Sequence, residues 1–330
     1  MINGTEEWGC MHRCGGCADS RSCPFACPNN PRRFVFMVNE VGSLDYRPRT
    51  RITGPPAIGY PFLAPQIYHG YRRFKLLRAD AVTISIRDLL ARTGTRNVHD
   101  AFMLDPDTRV IALGVAKDHE LEKWWGERNS VVEKLRTLQL DAVTVPNYSI
   151  FANAPRHQTL VSIARIHHFA EELSAAGIAT VPHIYAETDI DWQRWLEVLK
   201  EQPGISMLAM EFQTGLRVKE KALPYIQRLS DLQQRLGRSL HLIAIGGTQY
   251  RMELRALFGD RCTLTDATSF MKTFRRIKTD GPQGDERLRM GPEDDLADLL
   301  QANIIAREKR LRKENAIVMV RPKATLRIAA

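Results

Sequence analysis

The residues most clearly suited to chemistry are five of the six cysteines, which all precede residue 28. Their close spacing allows several thiolates to converge on one ion, and Gly15 and Gly16 permit a tight turn between two of them. Outside oxidising compartments, such a cluster is more often a metal site than a set of disulfides. The expected ligands of one metal centre are Cys14, Cys17, Cys23 and Cys27, with Cys10 as a further candidate.

The identity of the metal is left open by the spacing. Four thiolates suit a tetrahedral structural zinc site, which we favour. The same four cysteines end in a Cys-x3-Cys-Pro run, as bacterial-type iron–sulfur ligand runs do. Cys10, Cys14 and Cys17 also match the Cys-x3-Cys-x2-Cys motif of radical S-adenosylmethionine enzymes, but that motif follows the first barrel strand, whereas here it precedes every predicted strand.

A second set of chemistry-bearing residues follows short apolar runs that predict buried strands. Glu211 and Gln213 follow one run, Gly246 and Gly247 the next, and Asp266 the last. Catalytic groups of (β/α)₈ barrels come from the carboxyl ends of the strands. A lone aspartate after a strand is more often the N-cap of the next helix, and a histidine there is as often a hydrogen-bonded core residue. Earlier strand ends contribute Asp88, Asp118, Asn147, Ser149 and His183.

These residues must be positioned by alternating strands and helices. The predicted strands cover residues 34–38, 81–86, 110–115, 142–145, 179–184, 206–211, 240–245 and 262–265. Amphipathic helices are predicted around residues 131–138, 163–173, 192–199 and 226–236. Eight such units predict a (β/α)₈ TIM-type barrel. A doubly wound open sheet is the alternative, but no Gly-x-Gly-x-x-Gly follows the first predicted strand.

The chain divides into three predicted parts. Residues 1–31 form the Cys-rich metal-binding segment, 32–281 the barrel, and 282–330 a charged C-terminal extension. Within the barrel, residues 40–65 are expected to form a long ordered loop over one mouth. The extension is expected to begin as a polar linker, followed by a helix over 294–313 and a strand over 316–320.

The late strand ends, together with two short motifs, carry a family resemblance. The motifs are Pro-Asn-Tyr-Ser at residues 146–149 and Ser-Phe-Met-Lys-Thr at residues 269–273. The series of a glutamine, a glycine pair and an aspartate after successive late strands resembles the tRNA-guanine transglycosylase superfamily. The motifs resemble its DNA-acting branch and related uncharacterised phage and mobile-element proteins. The resemblance covers roughly residues 33–278.

The resemblance implies a base-exchange glycosyltransferase that replaces guanine in DNA by a 7-deazaguanine. It implies Asp266 as the nucleophile that holds the sugar covalently, and Gln213, Gly246 and Gly247 as contacts to the base. A second carboxylate handles protons, and Asp88 is its nearest candidate and Asp118 the next. Glu211, Asn147, Ser149 and His183 are the further candidates for substrate binding.

The net charge of +9 favours a polyanionic partner, although a solvated cationic surface is the simpler explanation. Tyr71, Phe74, Phe270 and Phe274 stand among two of the basic clusters, as base stacking requires. We expect DNA rather than tRNA to contact Arg72, Arg73, Lys75, Lys272, Arg275 and Arg276.

The composition is that of a globular protein, with 44% hydrophobic and 26% charged residues. No apolar run approaches the ~20 residues that span a bilayer, and the first residues do not resemble a signal peptide, so we expect a cytoplasmic protein. Two other functions remain open, namely a radical iron–sulfur enzyme and a non-catalytic nucleic-acid-binding barrel. Analysis of the bound metal distinguishes the radical iron–sulfur enzyme from the transglycosylase. A base-exchange assay distinguishes the transglycosylase from the non-catalytic nucleic-acid-binding barrel.

Overall fold

The structure is a computed structural model that describes residues 31–57, 59–69, 75–94, 96–148, 150, 156–281, 284–291 and 294–319. It confirms a mixed α/β fold with parallel sheets. The five N-terminal cysteines lie outside the described residues, as do Arg72, Arg73 and Ser149. Among the described helices, none combines the length and the apolar character needed to cross a membrane.

The described strands confirm seven of the eight predicted ones. The strands that form the parallel sheets are β1 (Ala81–Ser85), β2 (Arg109–Leu113), β3 (Ala142–Thr144), β4 (Thr180–Val181), β5 (Met207–Glu211), β6 (His241–Ile245) and β7 (Cys262–Thr265). A separate antiparallel hairpin consists of β8 (Ile277–Gly281) and β9 (Gly284–Arg287).

Helices follow most of the strands, and they include the four that the apolar spacing predicts. The α-helices are α1 (Pro31–Val41), α2 (Ile86–Arg92), α3 (Val98–Phe102), α4 (Asp118–Gly126), α5 (Arg128–Thr137), α6 (Arg156–Ala175), α7 (Asp189–Glu201), α8 (Lys219–Leu236), α9 (Arg251–Phe258), α10 (Thr268–Phe274) and α11 (Ala297–Met319). Gly237 ends α8 in the left-handed conformation, as predicted.

The strands pair in chain order within two parallel sheets. One sheet has the order β1-β2-β3-β4 and the other β5-β6-β7. In the second sheet, Ala209 of β5 is opposite Ile243 of β6, and Ile243 is opposite Thr263 of β7. Because all these strands are parallel, their carboxyl ends lie at one common edge, where the predicted site residues follow them.

Two sets of backbone contacts join the sheets to each other. His183, just after β4, is the parallel bridge partner of Ala209 in β5. At the other side, the segment 62–67 lies between β7 and β1: Leu63 bridges to Leu264, and Gln66 bridges to Thr83. The last residues of the predicted loop over 40–65 therefore pair with strands in a strand-like manner, which the sequence did not indicate.

The strand side chains divide between two apolar clusters. The larger cluster lies between strands and helices and includes Val82, Leu208, Leu242 and Leu264. A smaller cluster on the opposite face of the strands, which we call the inner face, is formed by Ala64, Ala81, Ile111, Leu113, Ala142, Val181, Met207, Ala209, Ile243 and Ile245. Residues alternate between the two faces along each strand, as the period of two requires.

The strand predicted over residues 34–38 is wrong, because this run belongs to α1. Met37 and Val41, four residues apart, are fully buried, whereas Val35 and Phe36 are about half exposed. One-sided burial at a spacing of four is typical of a helix, and a short apolar run does not distinguish helix from strand.

Two expectations for the C-terminal part also differ from the structure. The run 316–320 does not form a strand, since α11 continues to Met319. The hairpin of β8 and β9 was not predicted, and the boundary placed after residue 281 falls within it. Asn303 of α11 bonds the main-chain amide of Thr279 in β8 and the carbonyl of Ile277, so helix and hairpin are packed together.

Candidate ligand site at the carboxyl ends of the strands

Glu211 is a buried carboxylate at the end of β5, with 2% of its surface exposed. It lies two residues beyond Ala209, a member of the inner cluster, so its side chain points to the inner face. One oxygen accepts a 2.5 Å hydrogen bond from the Gln213 main-chain amide, and the other accepts one from Thr214 Oγ1 at 2.9 Å. No cation pairs with this carboxylate within the described residues.

Next to Glu211, three buried polar side chains lack partners. Neither ring nitrogen of His183, neither amide atom of Asn147, nor the hydroxyl of Tyr185 completes a hydrogen bond within the described residues. The rings of His183 and Tyr185 are nearly parallel, with centroids 6.2 Å apart. Buried polar groups are almost always hydrogen-bonded in proteins, so a cluster of unpaired ones indicates a place for a ligand or ordered water.

The electrostatics of this cluster follow from its burial. Burial, and then the neighbouring Glu211 carboxylate, raise the pKa of the Tyr185 hydroxyl, whereas the Asn147 side chain, which lies within hydrogen-bonding range of that hydroxyl, lowers it. Burial also lowers the pKa of His183 to about 3. At neutral pH His183 is therefore uncharged, so one ring nitrogen donates and the other accepts. Apart from Glu211, the cluster offers neutral donors and acceptors, which suit an uncharged polar ligand.

Gln213 and Gly246 are brought together at the same edge. Gly246 directly follows β6 and has φ +73°, and a methyl group added there would overlap the Gln213 side chain. Only glycine allows this left-handed conformation and this close approach without cost. Gly247 differs, because it is buried against Phe212 and Leu254 of the larger cluster. Of the predicted glycine pair, only Gly246 contacts Gln213.

Asp266 follows β7 and is 8% exposed. One carboxylate oxygen accepts a hydrogen bond from the Thr268 amide at 3.0 Å, at the start of α10. The other is held by Arg307 of α11, with Nη2 at 2.7 Å and Nε at 3.2 Å. Thr265 faces inward and bonds Thr83 at 2.8 Å, so the next residue is directed towards α11. The structure thus forms no contact between the Asp266 carboxylate and Gln213.

The other candidate carboxylates lie at the starts of helices. The Asp88 main-chain amide donates to Ser85 Oγ, so Asp88 occupies the first turn of α2, and it is partly buried. Asp118 is the first residue of α4 and is exposed. Neither is joined to Glu211 or Asp266 by a hydrogen bond. No cluster of metal-ligating side chains occurs among the described residues, and the predicted cysteine centre lies outside them.

The predicted nucleic-acid contacts are only partly available for binding. Lys75 pairs with Asp298 at 2.6 Å, and Lys272 pairs with Asp285 at 2.8 Å. Arg275 is exposed, and Arg276 donates to the carbonyl of Phe274. Phe270, one of the aromatic residues expected to stack on bases, is 3% exposed, whereas Phe274 is half exposed.

Two residues of this region were not among the predicted site residues. Tyr185 follows the strand predicted over residues 179–184, and the structure stacks its ring beside that of His183. Arg307 belongs to a run of basic residues that gave no indication of its partner, because pairing of α11 with the end of β7 is a long-range contact.

A comparison with protein-family models and with curated proteins found no match for this chain.

Burial of His183 predicts a specific loss of stability in acid. The unfolded chain takes up a proton on this residue below about pH 6.5, whereas the folded one does not until about pH 3. Stability is therefore fully present above pH 6.5 and falls as the pH drops towards 3. Between pH 7.5 and 5.0 this residue contributes a loss of about 2 kcal/mol in unfolding free energy.

The measurement is denaturant unfolding of His183→Asn at both pH values. The variant should show a smaller drop between them, even if it is less stable throughout. His119→Asn is the control, because His119 is exposed and its replacement should leave the drop unchanged. A drop in His183→Asn equal to that of the unmodified protein would contradict the assignment.

Proposed function

We propose that this protein is a base-exchange glycosyltransferase that replaces guanine in DNA by a 7-deazaguanine, using the carboxyl-end site as its base pocket. The observation that carries the proposal is the cluster of unpaired buried groups on Asn147, His183 and Tyr185 beside the Glu211 carboxylate. A purine-like base presents neutral donors and acceptors along its edges, which are the partners that these groups lack.

The proposed scaffold is one closed (β/α)₈ barrel. In it, the two parallel sheets β1-β2-β3-β4 and β5-β6-β7 would be two parts of one continuous sheet. The bridge between His183 and Ala209 supports closure at one junction. At the other, the amide of Ala64 donates to the carbonyl of Leu264 and the amide of Ile67 donates to that of Thr83, so the segment 62–67 would serve as the eighth strand of the proposed barrel. The separate inner cluster is what the interior of such a barrel requires.

Gln213 and Gly246 would form the edge of the pocket. An amide side chain both donates and accepts, so Gln213 matches a guanine edge that does the same. Because Gly246 has no side chain, Gln213 can pack directly against its main chain, which would hold the Gln213 amide at this edge. The Glu211 carboxylate, facing the same side, would accept from the ring N–H and the exocyclic amino group of guanine.

The proposed reaction has two displacements. The Asp266 carboxylate attacks C1′ of the nucleotide, the bond from C1′ to N9 breaks, and guanine leaves with that electron pair and takes a proton from an acid in the site. The deprotonated ring nitrogen of the 7-deazaguanine then attacks C1′, and the carboxylate leaves. Asp88 and Asp118 remain the proposed candidates for the proton transfers, with Glu211 as the carboxylate closest to the unpaired groups.

For Asp266 to reach C1′, it must release Arg307 and turn from α11 towards the inner face. The guanidinium is partly exposed, with 19% of its side chain accessible, so an incoming phosphate could replace the carboxylate as its partner. Arginine binds phosphate and carboxylate through the same planar donors. In this proposal, binding of the nucleic-acid backbone is what frees the nucleophile.

The direct test offers the protein an isotopically labelled 7-deazaguanine together with DNA or tRNA, and measures label incorporation and guanine release. We expect both in a one-to-one ratio with DNA, and neither with tRNA. Incorporation into tRNA alone would show that the substrate is tRNA, and the proposal of DNA as the substrate would then be wrong. Absence of label in both nucleic acids, with folded protein purified both with and without added zinc, would overturn the proposal.

A further inference from the structure

A groove of about 690 Å³ runs along the outer side of α11, between this helix and β8. Its wall on the hairpin side contains Lys278, and its wall on the helix side contains Ile305, Lys309 and Arg310. Lys278 and Lys309 are exposed, and neither forms an ion pair within the described residues. Lys278 and Lys309 thus line the groove with two cations that have no acidic partner in the described part of the chain.

Exposed apolar side chains accompany these cations. Ile305, in the groove, is 58% exposed, and Phe274, at the end of α10 just before β8, is 50% exposed. The adjacent Arg275 is exposed and makes no ion pair within the described part of the chain. An aromatic ring and an aliphatic side chain presented among unpaired cations provide both a surface for stacking and a surface for phosphates.

We propose that the surface formed by Phe274, Arg275, Lys278, Ile305 and Lys309 binds single-stranded nucleic acid. The charges match the sugar-phosphate backbone, and an exposed ring can stack only on a base that is not already stacked between its neighbours in a duplex. A fully paired duplex would engage the cations but leave Phe274 without a base. This surface is distinct from the base pocket, and binding to it requires no exchange chemistry.

The surface is continuous with the end of β7. Helix α10, which carries Phe274 at its end, begins two residues after Asp266, and in α11 Arg307 is three residues, about one turn, before Arg310 of the groove. A strand lying in the groove would thus extend towards the ion pair of Asp266 and Arg307. This relation to the proposed reaction rests on the proposed function, whereas the binding itself does not.

The test is fluorescence anisotropy with a labelled 12-nucleotide single strand and with the corresponding blunt duplex, at 50 and 200 mM salt. The variant Arg275→Glu/Lys278→Glu/Lys309→Glu should bind the single strand at least tenfold more weakly, with a salt slope that is lower by about 2. The control variant Arg92→Glu/Lys123→Glu/Lys200→Glu carries the same charge change on exposed residues elsewhere and should lose less than threefold.

Phe274→Ala tests the stacking contribution separately from charge. We expect it to weaken single-strand binding about fivefold or more, while the salt slope and duplex binding stay unchanged. Equal losses in the two charge-reversal variants would overturn the proposal, as would tighter binding of the duplex or unchanged affinity in Phe274→Ala. A protein that binds the strand in this way yet exchanges no base would refute only the proposed function.

Discussion

Replacing Asp266 by asparagine should abolish base exchange, with a loss of at least about 10³-fold, because the amide has no charge with which to attack C1′. Asparagine keeps an oxygen for the Thr268 amide, so the start of α10 is preserved. The ion pair with Arg307 is lost, and a moderate fall in the melting temperature is therefore expected. Exchange is measured by label incorporation and stability by thermal unfolding.

Arg307→Gln is the matched control, since it breaks the same ion pair but keeps the carboxylate. We expect it to lose a similar amount of stability but to retain exchange within about tenfold of the unmodified protein. A denaturation-resistant complex between protein and DNA should form with this control and not with Asp266→Asn. Full exchange in Asp266→Asn would end the assignment of this residue as the nucleophile.

The parallel strands could be predicted from sequence because their signal is local. Runs such as those that became β5 and β6 are buried on both faces and read as continuous apolar segments. The segment 62–67 gave no such signal, because it is short, contains Pro65, and is recognised only through its partners Leu264 and Thr83. The hydrophobic pattern of one segment does not show which distant segment it pairs with.

The same distinction applies to the candidate site. Glu211, Gln213 and His183 could be placed at strand ends from sequence alone, and the order of the strands brings Gln213 to Gly246. The partner of Asp266 could not be foreseen, because Arg307 is 41 positions away in a helix whose docking depends on tertiary packing. That contact changes the argument, since a nucleophile held by an arginine must be released before it reacts.

Gly246→Ala should produce the second large effect, a loss of at least tenfold in affinity for the 7-deazaguanine base. The left-handed φ of +73° costs a non-glycine residue roughly 1–2 kcal/mol, and the new methyl group must also displace Gln213 from its position. The backbone strain and the displacement of Gln213 both alter the proposed edge of the base pocket. Affinity is measured by calorimetric titration of the free base, and stability by denaturant unfolding.

Gly237→Ala separates the two causes, because Gly237 has nearly the same φ, +69°, but open space around it. It should lose comparable backbone stability and keep base affinity within about twofold. The double variant Gln213→Ala/Gly246→Ala removes the side chain that the methyl group displaces. We expect it to recover part of the stability lost in Gly246→Ala but none of the affinity, since the amide that reads the base is gone. If Gly246→Ala binds the base as tightly as the unmodified protein, Gly246 and Gln213 do not form the pocket, and the unpaired groups of Asn147, His183 and Tyr185 serve another ligand.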